Sequence, residues 1–342
     1  MPQTLLTRVH NRFLWEKRKM RVRRAFDHVA GPRRHQLAEH EVCAVILGKD
    51  VAFFLPELIR HHRALGVEHF LYIDNGSEDA SLTLASREPG MLAVRTDLPY
   101  REYQTDFRRL AIEMFVDGGW VLILDADELF DYPGSERLPL PALTRQLDTI
   151  GHTAVVAQMI DMVPRVYDEG SLSRHYEEAI AVCRYFDIDH LQRYGYHDDR
   201  FFFSPLTAQN RVTNPGIGLM FGGIRGHLFG EECCLTKHPL VKNAHPADPA
   251  ANPHIAAGVT CSDFTAMLRH YKFVDSFVAR ERQRIANNVI LTNEPALRMQ
   301  RFEAEPDLNF ETPTLRTNLT PETLLNHDVL VASDRAREML KI

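Results

Sequence analysis

The chain has 342 residues, of which 44% are hydrophobic and 25% are charged, and its formal net charge is −6. This composition is ordinary for a globular protein with a substantial core, and no stretch reaches the roughly 18 consecutive apolar residues that cross a bilayer. Residues 1–38 hold ten Arg and Lys residues against two acidic ones, about +8, so the remainder carries about −14, which argues against a nucleic-acid-binding body.

The predicted elements begin with a basic helix over residues 3–29. Leu6, Val9, Phe13 and Met20 fall near one stripe of this helix, and many Arg and Lys residues surround them. Such a helix is suited to an anionic membrane surface, or to docking on the body through its apolar stripe. The dipeptide at 31–32, Gly-Pro, ends it.

The next segment alternates between apolar strands and amphipathic helices. The pattern predicts strands at 42–47, 67–73, 92–95 and 121–124, and helices at 51–65 and 103–116. Polar or acidic loops follow the strands, which is the arrangement of strand–helix crossovers. The sequence therefore predicts an α/β fold with a mostly parallel, Rossmann-like sheet flanked by helices.

The second half of the chain has a less regular pattern. It predicts a helix near 140–147, a strand at 153–160, substrate-binding loops with short strands over 165–245, a helix over 264–288 and a partly helical tail over 290–342. The predicted domains are a basic N-terminal helical extension (1–40), a catalytic domain (41–285, with halves 41–131 and 132–285) and a C-terminal helical tail (286–342).

An acidic pair follows the apolar strand at 121–124. Asp125 and Asp127 are two residues apart, so on an extended segment both carboxylates point the same way. Clustered carboxylates repel each other unless they are protonated or bound to a cation, and oxygen ligands suit Mg²⁺ or Mn²⁺. Ligands of open α/β sheets bind beyond the carboxyl ends of the strands, where this pair is expected to lie.

Several motifs together resemble GT-A glycosyltransferases, in particular family 2 and family 92-like bacterial members. The residues that carry the resemblance are Gly48-Lys49-Asp50, His62 to Val67, Asp74 to Ser81, Asp125 to Glu128, and His270-Tyr271-Lys272 with Arg280. The resemblance covers roughly residues 42–285. One departure is Asp50, where the family usually has Glu.

The resemblance implies a site for a nucleotide-sugar donor. Its implied roles are base or ribose contacts for Lys49, Asp50, Asp74 and Asn75, a ribose and metal contact for Asp125, metal binding for Asp127, a metal or phosphate contact for His270, and a phosphate contact for Arg109. A divalent cation between diphosphate oxygens would stabilise the leaving group. A buried core position for His270 and a solvated helix face for Arg109 stay open as alternatives.

An inverting transfer needs a general base within hydrogen-bond reach of the acceptor hydroxyl. Candidates after the acidic pair are Asp161, Asp199 and Glu231, and Asp161 is favoured because it ends a strand beside the pair. In the alternative structural reading, Asp199 only caps a turn.

The sequence thus predicts a metal-dependent hexosyltransferase that uses Mn²⁺ or Mg²⁺. Its donor would be a UDP-sugar, and its acceptor a hydroxyl of a cell-surface glycan or lipid-linked precursor. We expect it in the cytoplasm, peripheral on the inner face of the plasma membrane through the basic N-terminus. Two alternatives are a haloacid-dehalogenase-type phosphatase, whose first motif is also Asp-x-Asp after a strand, and a non-catalytic nucleotide-binding scaffold.

Overall fold

The computed structural model describes residues 5–289 and 292–342. Its strands are β1 (Asp27–Ala30), β2 (His35–Gln36), β3 (Val42–Gly48), β4 (His69–Asp74), β5 (Met91–Arg95), β6 (Val116–Asp117), β7 (Trp120–Leu124), β8 (Glu128–Asp131), β9 (Ala154–Asp161), β10 (Leu191–Gly195), β11 (Gly218–Gly222), β12 (Thr236–Lys242) and β13 (Cys261–His270). Its helices are α1 (Leu5–Arg24), α2 (Leu55–Ala64), α3 (Ser81–Arg87), α4 (Tyr100–Phe115), α5 (Leu140–Thr149), α6 (Glu169–Leu172), α7 (Tyr176–Val182), α8 (Ser204–Thr207), α9 (Gly223–Phe229), α10 (Phe277–Ala286), α11 (Glu294–Ala304), α12 (Pro321–Asn326) and α13 (Asp334–Leu340).

The described residues build one large mixed sheet with the strand order β1-β5-β4-β3-β7-β12-β9-β13-β8. Strands β5, β4, β3 and β7 are parallel, as are β9 and β13, whereas β12 is antiparallel to both of its neighbours and β1 and β8 are antiparallel at the two edges. The predicted α/β class with a helix-flanked sheet is confirmed. The sheet is more mixed than predicted because β12 lies between the two parallel groups.

The central strands are apolar on both faces because helices or loops cover both sides of the sheet. Every residue of β7 is buried, and only the last residue of β3 is not. Helices α2 and α5 pack on one face, where Leu58 and Leu143 belong to a continuous apolar cluster. Helix α4 packs on the other face through Phe107 and Leu110. The continuous apolar runs of these strands are therefore typical of a doubly covered sheet.

Part of the predicted helix over 264–288 is wrong. Residues 261–270 form β13, an interior strand paired with β9 and β8, and α10 begins only at Phe277. A short apolar run does not by itself distinguish a buried strand from a buried helix, because an element buried on all sides shows no polar and apolar periodicity. The predicted helix over 3–29 also ends earlier, and β1 pairs with β5 at the edge of the sheet.

The segment after β7 crosses from the centre of the sheet to its edge. Residues 125–127 leave β7, and β8 then pairs with β13 on the far side of β12 and β9. In the resulting register, His270 lies opposite both Glu128 and Asp161. This crossing places the acidic pair over the strand ends of the second parallel group. Within the described ranges, no helix is both long and apolar enough to cross a membrane.

Candidate active site

A cavity of about 950 Å³ opens at the carboxyl ends of the parallel strands. The ends of β3 and β4, the first turn of α4 and the C-terminal half of α10 form its walls. Four ionisable side chains line its floor: Asp125, Asp127, His270 and Lys272. The location agrees with the general rule that open α/β sheets bind ligands beyond their strand ends.

Asp125 is held by two buried cations. Its carboxylate contacts the Arg108 guanidinium and lies 2.6 Å from the Lys237 ammonium, which also contacts Glu128. Burial would raise the pKa of Asp125, but Lys237 and Arg108 outweigh it and hold the pKa well below its usual range. The charge of Asp125 is therefore compensated by the protein itself.

Asp127 faces the cavity and is coupled to His270. Its Oδ2 lies 3.3 Å from Nε2 of His270, and Nδ1 of the same ring lies 2.6 Å from Oδ1 of Asp161. Burial opposes the charge on the imidazole, but the two carboxylates dominate and raise the pKa of His270. The same contacts hold the pKa of Asp127 below its usual range in spite of burial.

Asp161 lies behind His270 and is not part of the cavity wall. Its second carboxylate oxygen accepts a 2.8 Å hydrogen bond from Nε of Arg225, and its side chain is 2% exposed. A general base must come within hydrogen-bond reach of the acceptor hydroxyl, and here both oxygens of Asp161 are engaged by His270 and Arg225. The geometry instead suits a carboxylate that orients a histidine.

Buried ion pairs of alternating sign continue from Asp161 into the C-terminal tail. Arg225 lies 3.4 Å from Glu231, which lies 2.7 Å from Arg298 on α11. Arg298 also lies 2.7 Å from Glu281 on α10, the helix that lines the cavity. Glu231, a weaker candidate base, is therefore also fully engaged in ion pairs.

The loop after β4 uses its polar side chains to fix its own shape. Asp74 is fully buried and accepts hydrogen bonds from the backbone N–H groups of Gly76 and Ser77, each at 3.1 Å. Asn75 lines the cavity and donates 2.9 Å hydrogen bonds to two backbone carbonyls beyond β5. The structure thus brings Asn75, and not Asp74, to the cavity surface.

Lys49 and Asp50 both lie on the cavity wall, at the turn after β3. The carboxylate of Asp50 accepts a 2.7 Å hydrogen bond from the backbone N–H of Glu78, which ties this turn to the loop after β4. Asp50 has a φ of 53°, in the left-handed region that aspartate tolerates better than most residues. The two turns therefore form one wall.

The structure places Arg109 and Asp199 away from the cavity. Arg109 pairs with Asp248 and lies over the ring of Trp15, with 5.6 Å between the guanidinium carbon and the ring centroid. Asp199 is exposed on the loop after β10. Neither lies on the cavity wall.

Lys272 is a site residue that sequence reasoning did not assign a role. It lines the cavity, and its ammonium forms no ion pair or hydrogen bond with any of the described residues. Burial and the nearby Arg298 lower the pKa of Lys272 to about 8. The His-Tyr-Lys motif in the sequence includes this lysine, but the sequence alone did not show that its ammonium lacks a partner.

The residues in the described ranges include no group of three or more His, Cys, Asp or Glu side chains placed to hold a metal ion. Asp127 and His270 can supply two ligands that face the cavity. Mg²⁺ commonly takes only one or two protein ligands and completes its coordination with water and substrate phosphates. The donor set at this site therefore fits a cation shared with a phosphate ligand.

No protein-family model matches the chain. Over 119 residues, or 34% of its length, the chain is 26% identical to a glycosyltransferase family 92 protein of Arabidopsis thaliana. The match spans 21% of that relative's length. The similarity is therefore distant and confined to part of both chains.

Proposed function

We propose that the chain is a GT-A-type glycosyltransferase that moves a sugar from a nucleoside diphosphate donor, preferably a UDP-sugar, to an acceptor hydroxyl. The observation that carries the proposal is the Asp127–His270 pair next to the unpaired Lys272 on the floor of one large cavity. Positive charge stabilises a departing diphosphate, and the cavity offers a carboxylate that could hold a cation beside the ammonium of Lys272. The distant glycosyltransferase relationship agrees with this assignment.

Asp127 and His270 are the proposed ligands of Mn²⁺ or Mg²⁺. Asp161 accepts the hydrogen bond from Nδ1 of His270 and leaves Nε2 directed towards Asp127, as carboxylates that orient metal-binding histidines do. The bound cation would act as a Lewis acid on the diphosphate oxygens. Asp125, already neutralised by Lys237 and Arg108, is a positioning residue in this proposal rather than a metal ligand.

Lys272 is the proposed partner of the departing diphosphate. Because no described side chain pairs with it, it can approach a phosphate oxygen without first breaking an ion pair. Arg280 and Arg284 of α10 line the same cavity and add positive charge to this side. Cations placed where negative charge develops stabilise the transition state more than the ground state.

Thermal unfolding with UDP, GDP, CDP and CMP, each with and without Mn²⁺, tests the proposal. A nucleoside diphosphate at about 100 times its Kd should stabilise the protein by roughly 2.7 kcal/mol. We expect this only for a diphosphate with Mn²⁺, and CMP serves as the matched monophosphate control. No response to any nucleotide would contradict the proposal, and hydrolysis of phosphate monoesters would then test the phosphatase alternative.

Asp161→Asn is expected to weaken Mn²⁺ binding about 10–100-fold, the usual effect of losing the carboxylate that orients a metal-binding histidine. A general base would behave differently, because its loss would abolish transfer and leave donor and metal binding intact. Isothermal titration with Mn²⁺ in the presence of UDP separates the two roles. Asp199→Asn, an exposed carboxylate outside the cavity, is the matched control and should bind Mn²⁺ like the wild type. Unchanged Mn²⁺ affinity of Asp161→Asn would refute the positioning role.

A further inference from the structure

Helix α1 packs on α4 through one of its faces. Arg18 forms a 2.6 Å ion pair with Asp106, and its guanidinium carbon lies 4.4 Å from the ring centroid of Tyr103. Val22 on the same face is fully buried. Further along, Arg23 lies 2.5 Å from Glu113 of α4. These contacts fix which side of α1 points away from the body.

The opposite face of α1 combines large apolar side chains with cations. Phe13 and Met20 are 55% and 46% exposed, and Lys17, Arg21 and Arg24 are exposed beside them. Arg21 lies at the edge towards α4, with its guanidinium carbon 5.6 Å from the centroid of the Tyr103 ring. Phe13, Lys17, Met20 and Arg24 follow one another at a spacing of three or four residues and share one stripe of the helix, and Arg21, four residues after Lys17, borders it. The Lys17 ammonium lies 4.4 Å from the centroid of the Phe13 ring. We refer to these five residues as the Phe13 face.

We propose that the Phe13 face binds the headgroup region of an anionic lipid bilayer. Helices that lie in a membrane interface combine basic residues with Phe or Leu side chains that enter the acyl boundary. Leu14, 49% exposed, lies on the flank of the face and adds to its apolar area. Glu16, between Phe13 and Met20, borders the face on its other side, and its carboxylate lies 2.9 Å from the Lys19 ammonium. The cations of the face outnumber this one carboxylate, which suits a negatively charged surface.

The charge distribution of the whole chain supports an anionic bilayer as the partner. The chain carries −6 overall although residues 1–38 are about +8. An anionic surface therefore attracts the N-terminal segment and repels the rest of the body, which orients the protein with the Phe13 face towards the lipid. Attraction of this kind decays within about 10 Å at 0.1 M salt.

The position of α1 relates this surface to the cavity. Arg18 also donates a hydrogen bond to the backbone carbonyl of Glu102, and both Arg101 and Glu102 line the cavity. Membrane binding through the Phe13 face would hold this rim of the cavity near the lipid headgroups. If the proposed function is correct, a lipid-linked acceptor is the kind of substrate that this orientation serves, whereas the membrane proposal itself does not depend on the transfer reaction.

Co-sedimentation with phosphatidylcholine vesicles, with and without 30% phosphatidylglycerol, tests the proposal. The full chain should bind only the anionic vesicles, and the bound fraction should fall as salt is raised. The variant Lys17→Glu/Arg21→Glu/Arg24→Glu should bind at least about a hundredfold more weakly, at roughly fivefold for each cation lost. Phe13→Ser/Met20→Ser should weaken binding at unchanged charge.

Arg33→Glu/Arg87→Glu/Arg145→Glu is the matched control, since it changes the net charge equally at exposed positions outside α1. It should retain most of the binding. The proposal would be overturned if both triple variants lost binding equally, if the wild type did not bind, or if it bound uncharged vesicles equally well. Dimerisation through the Phe13 face in gel filtration would also overturn it. Circular dichroism and the nucleotide response should stay at wild-type values in all variants, so failure here is distinguishable from failure of the proposed function.

Discussion

Replacing Asp127 by asparagine is expected to lower the rate of transfer by about a thousandfold. Asparagine has nearly the same shape but lacks the negative charge that would hold the cation against the diphosphate. Lewis-acid stabilisation of several kcal/mol is lost with the metal, and about 4 kcal/mol corresponds to a factor of a thousand. The measurement is kcat/KM for donor hydrolysis or transfer at saturating Mn²⁺.

The same variant should lose the Mn²⁺-dependent part of the thermal stabilisation by nucleoside diphosphate. Asp117→Asn, which removes a half-exposed carboxylate at β6, is the control and should behave as the wild type in both measurements. Because Asp127 lies 3.3 Å from His270, the substitution also removes an ion pair, so the Mn²⁺-dependent stabilisation is measured relative to each variant's own unfolding without ligand. An Asp127→Asn protein that keeps the Mn²⁺-dependent response would show that the cation is held elsewhere.

Lys237→Met should lower the free energy of unfolding by about 3–5 kcal/mol. Lys237 is 5% exposed and is the shared cation of Asp125 and Glu128, and the Glu128 side chain is fully buried. Removing one partner of a buried ion pair costs this much because it leaves an uncompensated charge in a low-dielectric environment. Urea unfolding followed by circular dichroism gives the free energy directly.

Two further variants separate the buried charge from the loss of a lysine as such. Lys242→Met is the matched control on the same strand: Lys242 lies 2.6 Å from Asp148 but is 24% exposed, so its loss should cost no more than about 1 kcal/mol. Lys237→Met/Glu128→Gln should recover part of the loss, because the glutamine amide introduced at position 128 carries no charge. Equal destabilisation by the two single lysine variants would disprove the explanation.

Most of the first parallel group of strands could be predicted from the sequence. Strands β3, β4 and β7 are apolar runs that end at or just before Gly48, Asp74 and Asp125, and β5 is an apolar run that ends in Arg95. Short apolar runs between turn signals are the expected pattern of a doubly covered sheet. Strand β12 was hidden, because Thr236, Lys237 and His238 are polar residues buried in the sheet. A run of polar residues predicts a loop from sequence alone, because the sequence does not show the partners that satisfy these side chains inside the sheet.

The site was predictable only in part, for a related reason. Asp127 and His270 were selected from a local motif and a family resemblance, and they do lie together. The cations that hold Asp125 come from α4 and β12, and the second of these is 112 residues away in the sequence. No local pattern records such a pairing. Asp74 shows the opposite case, since its motif was visible but its carboxylate is used by the backbone of its own loop.

The buried ion pairs that run from His270 to α11 make the interior of the sheet domain depend on the C-terminal tail. Arg298 belongs to the tail, yet it neutralises both Glu231 and Glu281, whose side chains are at most 2% exposed. A chain shortened after residue 285 would leave these two carboxylates without that cation, on the helix that borders the cavity and behind the arginine that holds Asp161. The tail therefore supplies part of the charge balance in the interior beside the cavity.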